Sequence, residues 1–168
     1  TLQRLIAFPE RRGMATQVIW NGNDVEGFYT SHLVTGTGRH TQYSHLGKIK
    51  DVYAPNVQWH GPLMKELYGQ AAVIHQTLAL IGMIPDGAWM PQYICSNPCD
   101  EGGTKVAVRW IMEGHHLGYG ELGKPTGERL FVMGMSRYHI VNGKIVDEWV
   151  VYDHLALLAQ IKLGQMGE

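Results

Sequence analysis

Val106-Ala-Val-Arg-Trp-Ile-Met-Glu-Gly-His-His-Leu-Gly118 and Lys144-Ile-Val-Asp-Glu-Trp-Val-Val-Tyr-Asp153 decide how the rest of the chain is read. Each is rich in β-branched and aromatic residues, which fit a pleated, half-buried surface and predict strands. The first runs into a glycine-flanked pair of histidines. The second stops at Asp153, which opens a helix-like run from Leu155 to Leu163. If the two strands lie in one sheet, Arg109, His116 and Asp153 are expected to converge on a common pocket.

Working outward from this pair, Glu128 to Val141 reads as a further strand, joined to Lys144 by Asn142-Gly143, a turn that favours positive φ. Gly114 to Gly127 holds five glycines and a proline and reads as a loop. Trp89 to Ile94 reads as a strand whose Pro91 suits a sheet edge. Upstream, Leu63 to Gly82 has apolar residues at Leu67, Ala71, Ile74, Leu78 and Ile81, a helical spacing. Leu46 to Tyr53 predicts a short helix stopped by Ala54-Pro55, and Val57 to His60 a strand fragment. Helices first, then a meander of strands, then a closing helix is an α+β order and not the alternation of a parallel sheet.

The N-terminal part reads differently. Residues 1–15 predict an irregular arm, and Asn21-Gly-Asn-Asp24 separates two β-type runs. At an offset of 76 residues, Gly38, His40, Tyr43, Leu46, Gly47 and Lys48 match Gly114, His116, Tyr119, Leu122, Gly123 and Lys124. Residues 1–48 are therefore set apart as an arm and hairpin, a possible relic of a preceding repeat, and 49–168 as the main domain.

Bulk properties narrow the functional classes. A net charge of -1 leaves no electrostatic footprint for nucleic acid. No apolar run approaches the roughly 20 residues of a membrane span. The only cysteines, Cys95 and Cys99, lack a second pair at metal-finger spacing and read as reduced thiols. No leader-type apolar segment opens the chain, and the cytoplasm is the expected compartment.

Strand alternation sorts the candidate side chains. Arg109, Ile111, Glu113 and His115 share one face, and Trp110, Met112, Gly114 and His116 the other. Arg109 has Glu113 or Glu148 as possible ion-pair partners. Trp59 and His60 must point oppositely, as must Arg137 with His139 against Tyr138. Trp110, Met112, Phe131, Met133 and Trp149 are either pocket wall or ordinary core. Asp153 is either a general base or an N-cap of the following helix. His116 is either catalytic or a loop histidine bonded to backbone.

Taken in order, Val52-Tyr-Ala-Pro-Asn-Val-Gln-Trp-His-Gly-Pro62, Ile84-Pro-Asp86, Val106 to Trp110, Gly114-His-His-Leu-Gly118, Lys124-Pro-Thr-Gly127, Asn142-Gly-Lys-Ile145, Glu148-Trp149, Asp153 and Gln160 resemble the SnoaL-like polyketide cyclases of the nuclear transport factor 2-like superfamily. The resemblance implies a cone in which a curved antiparallel sheet wraps around helices, with an apolar pocket at one end and homodimers through the sheet. It also implies cofactor-free acid-base chemistry, an aldol cyclisation or an isomerisation, on a small hydrophobic carbonyl compound, with neither metal nor cofactor. Asp153 would move the proton, and His116 or Arg109 would supply the donor to the enolate. Ligand contacts would come from Trp59, His60, Trp110, Met112, Phe131, Met133, Arg137, His139 and Trp149. Tandem members of the family give residues 1–48 a source. An epoxide hydrolase on this fold would need an acid where Ile111 stands, whereas a ketosteroid-isomerase-like shuttle needs only a base and an oxyanion donor. The alternative from another class is a non-catalytic ligand-binding or assembly module of the same fold.

Overall fold

A computed structural model describes residues 49–166 of the protein. The arm, the hairpin and the first copy of the repeat expected at 1–48 lie outside the described residues.

The chain runs through α1 (Ile49–Val52), β1 (Tyr53–His60), a 3-10 turn (Pro62–Met64), β2 (Glu66–Tyr68), α2 (Gln70–Met83), β3 (Ala88–Pro98), β4 (Thr104–His115), β5 (Arg129–Val141), β6 (Lys144–Tyr152) and α3 (His154–Met166). The strands form one open sheet in the order β2-β1-β6-β5-β4-β3. The architecture is α+β, as expected, but the sheet is mixed and not purely antiparallel: β1 and β6 run parallel. Parallel neighbours need a long crossover. Here everything from β2 to β5 forms that crossover.

The alternation read from the sequence is visible in the burial. On β4 and β5, Val106, Val108, Trp110, Met112, Leu130, Val132, Ser136 and Tyr138 are buried, while Arg109, Phe131, Met133, Met135 and Arg137 between them are exposed. The buried row forms one apolar core with Val73, Met83 and Ile84 from α2 and its end, and with Leu157 and Ile161 from α3. Both helices therefore cover the same side of the sheet, called the inner face below.

Local chemistry explains most element ends. Asn142 and Gly143 have φ of 50° and 73°, as a two-residue hairpin turn requires. Pro91 lies on the edge strand β3, and the pairing with β4 slips between Pro91 and Tyr93. The helix expected from Leu63 starts only at Gln70. Glu66–Tyr68 folds back on β1 instead, and Gly69, at φ +83°, turns the chain into α2. The helix buries Val73, Ile81 and Met83, while Leu78 of the expected apolar stripe is exposed.

At its start β5 outruns β6, whose last paired residue, Tyr152, faces Gly134. The side chain of Gln160 on α3 fills in for the missing strand. Its amide accepts the Phe131 N–H at 2.7 Å and donates to the Phe131 carbonyl at 2.8 Å. No helix among the described residues is long and apolar enough to cross a membrane.

Candidate active site

The register of the sheet lines up Leu67 on β2, Trp59 on β1, Glu148 on β6 and Tyr138 on β5 in one row. Trp59, Glu148 and Tyr138 are buried on the inner face, and Leu67 packs beside them against the same core. Glu148 is the one acidic residue among the buried side chains of the described residues. The Tyr53 hydroxyl donates to its Oε2 at 2.7 Å, and the Tyr138 hydroxyl is a second hydrogen-bond partner.

Burial disfavours the charged carboxylate, and the neighbouring Asp147 charge adds to the effect. The two tyrosine bonds oppose it only in part, and the Glu148 pKa is pushed up to about 7. A carboxyl that exchanges its proton near neutrality, set among aromatic side chains, has the attributes of a general acid or base.

Farther along β5 from this carboxyl, at the level of Gly134, the side chains are aromatic and partly polar. Trp110 donates from Nε1 to Ser136 Oγ at 3.0 Å and lies 6.2 Å from the Tyr152 ring. Gly134 is a glycine because a Cβ there would collide with the Trp110 ring. Tyr152 is half-buried, and its phenol is pushed up to about 12, by burial first and then by the charge of Glu121 in the loop after β4.

The residues singled out by sequence take other places. Asp153 is exposed, and its Oδ1 accepts the Ala156 N–H at 2.9 Å, which is the N-cap arrangement for α3. His116 is fully buried where the loop after β4 folds back. Its backbone bonds Glu128, Thr126 and Gly127, and its Nδ1 lies 3.2 Å from Thr126 Oγ1. Its Nε2 is buried without a hydrogen-bond partner among the described residues. Arg109 is exposed on the outer face, away from Glu148, and Glu113 pairs with Arg129 at 3.0 Å. His116 stands opposite Glu128, the residue just before β5, whereas β6 ends opposite Gly134. At about 3.3 Å per residue, that separates the His116 and Asp153 levels by roughly 15 Å. The expected trio is not brought together.

Of the other candidates, Trp59, Trp110 and Met112 face inward and are buried. His60 lies on the outer side, stacked on Trp149 at a ring separation of 3.9 Å, with its Nε2 3.2 Å from Asp147. Arg137 also pairs with Asp147, at 3.3 Å, and His139 reaches the Gly102 carbonyl at 2.8 Å. Phe131, Met133 and Trp149 are outer-face side chains, between 44 and 55 % exposed.

The Gly-His-His segment and Ile84-Pro-Asp86 meet in a joint. Asp86 accepts the His115 N–H at 2.8 Å and lies 2.6 Å from the His115 ring. Burial alone would raise the Asp86 carboxyl, but the bonds from His115 outweigh it and hold it low. Among the described residues, no group of His, Cys, Asp and Glu could hold a metal ion.

Glu148 does not stand out in the sequence as a candidate site residue. The signal was present in alternation from Trp149, but a glutamate beside an aspartate on a strand ordinarily reads as solvent-facing charge. Only the pairing of β6 with β1 places it under Trp59 and Tyr53.

A family model described as SnoaL-like polyketide cyclase matches residues 38–161. Among solved structures, a candidate SnoaL-like polyketide cyclase from Jannaschia sp. CCS1 superposes with a TM-score of 0.68 at 16 % identity, over 90 % of this chain and 95 % of that one. IdmH from Streptomyces antibioticus, a candidate polyketide cyclase, gives 0.61 at 20 % identity over 72 % and 89 %. AclR from Streptomyces galilaeus, a candidate hydroxylase, gives 0.60 at 21 % identity over 72 % and 76 %. At these identities the superpositions speak for the fold. No curated protein sequence matches the chain significantly.

Proposed function

Since the chain belongs to the SnoaL-like polyketide cyclase family, we propose that it carries out cofactor-free acid-base chemistry on a small hydrophobic carbonyl compound, an aldol cyclisation or an isomerisation, with Glu148 as the base. The observation that carries this reading is the buried Glu148 carboxyl, held by Tyr53 and Tyr138 with a pKa near 7. As carboxylate it would take a proton from the carbon next to a carbonyl. The enolate oxygen that results needs a donor, and the Tyr53 and Tyr138 hydroxyls are the donors at hand once the carboxyl is protonated. Positioned proton transfer of this kind contributes about 10²- to 10⁴-fold. Because the base must be ionised, the rate rises with pH to a plateau, with its midpoint near 7. In this reading Asp153 serves α3 and His116 the loop after β4.

The test is exchange of the α-protons of an apolar β-keto ester in deuterated water, followed by NMR. Glu148→Gln should remove the protein-catalysed exchange, and Asp153→Asn should leave it. Exchange that survives Glu148→Gln and disappears with Asp153→Asn would move the base to Asp153. No exchange with any such ester, together with tight retention of the ester, would favour the binding-module alternative.

A further inference from the structure

Beside the Glu148 row, an open groove of about 510 Å³ separates α2 from β2 and the loop after β4. It is lined by Leu67, Ala72, Ala79 and Met83 on the apolar side and by Lys65, His75, Gln76 and Glu121 on the polar side. The size is that of a small-molecule site. Leu67 belongs to the same row as Trp59 and Glu148, two strand spacings from the latter, or about 10 Å. The groove therefore borders the sheet row that carries the buried carboxyl.

Lys65 Nζ meets Glu121 Oε2 at 3.0 Å, with both side chains about 40 % exposed. A part-exposed ion pair of this kind contributes little, because solvent screens it and two flexible side chains must be held in one geometry. An incoming carboxylate can replace Glu121 on the ammonium at little cost, since it makes the same charge-assisted bond. Leu67, Ala72, Ala79 and Met83 meanwhile offer apolar contact to the hydrocarbon that follows the charged group.

We propose that this groove binds the far end of the substrate, and that this end carries a carboxylate that Lys65 receives in place of Glu121. The inference rests on the acid-base reading for its second half: the substrate would be an apolar chain or ring whose carboxylate lies beyond the level of Leu67, itself two strand spacings, or about 10 Å, from Glu148. Lys65 is a binding and positioning residue, and Glu121 is the competitor that keeps the rim neutral when no ligand is present.

The test uses 6-phenylhexanoate and its primary amide as probes, with the full chain titrated by calorimetry. It does not depend on turnover, so it can fail while Glu148 remains the base, and the exchange assay can fail while this holds. The expected result is that the wild-type chain binds the carboxylate at least tenfold more tightly than the amide. Lys65→Met should remove that preference, and Glu121→Gln should strengthen carboxylate binding severalfold without altering the amide. Equal binding of both probes by the wild type, an unchanged preference in Lys65→Met, or no binding of the carboxylate at all would each overturn the proposal. Because the Glu121 variant moves affinity upward, its result cannot be produced by a misfolded chain.

Discussion

Replacing Glu148 by glutamine tests the electrostatics of the site without reference to any substrate. The carboxyl holds its proton more tightly in the fold, near pH 7, than in the unfolded chain, near 4.5. Between those values the folded state carries more protons than the unfolded one, and stability must fall as pH rises. Below about 4.5 the group is protonated in both states and contributes no slope; above about 7 it is ionised in both, and the loss is complete. One pH unit of difference in proton affinity is worth about 1.4 kcal/mol, so the whole interval corresponds to about 3 kcal/mol and the part between pH 5 and 8 to about 2 to 3 kcal/mol. Glutamine has the same shape and can still accept from Tyr53, but it does not titrate. Urea unfolding of both chains at pH 5, 6, 7 and 8 should show the wild type losing stability relative to Glu148→Gln by that amount across the range, with equal m-values. Parallel stability profiles for the two chains would refute the argument, because they would mean that Glu148 is solvated and ordinary.

Three further outcomes follow from the hydrogen bonds. Tyr53→Phe removes a bond that lowers the Glu148 pKa, so the midpoint of the pH-rate profile, and that of the stability loss, should move to higher pH; a midpoint that stays or falls contradicts the network. Asp153→Ala takes the cap from α3 and should cost about 1 kcal/mol in urea unfolding, while ester exchange per folded molecule is retained. Gln160→Ala strips both backbone partners from Phe131 and should cost about 1 kcal/mol, with faster amide hydrogen exchange at Phe131 than at Val132 as its local signature.

The sheet was largely legible because alternation on β4, β5 and β6 is strong and because Asn142-Gly143 admits few turn geometries. Pro91 marked its edge strand for the same reason that it cannot donate. What sequence could not supply was strand order. Nothing local distinguishes β1 packing antiparallel at an edge from β1 packing parallel beside β6, and that pairing decides which groups surround Glu148. The start of α2 differs from the expected one because Leu67 fits both a helical stripe and a strand that turns back on β1; the pairing with Trp59 decides it. At the site, the residues that stood out were those with conspicuous chemistry at element ends. Asp153, His115 and His116 prove to hold α3, the loop before β3 and the loop after β4. Function in this reading falls to a glutamate whose environment is built by side chains distant in sequence, Tyr53 being 95 residues away.

The parallel pairing of β1 with β6 also sets a timetable. β1 begins at Tyr53 and meets its partner only when the chain has reached Ile145 and beyond. At 5–20 residues per second, a ribosome would need roughly 5 to 20 s to make the intervening chain. During that interval β2 is the one strand neighbour of β1 among the described residues, and Trp59 and Tyr53 lack the β6 strand that pairs beside them. Contacts so far apart in sequence raise the contact order and slow the final closure. Joining β1 to β6 is the event that both completes the sheet and gives Glu148 its Tyr53 partner, so a chain released before β6 emerges would have neither a finished fold nor a tuned carboxyl.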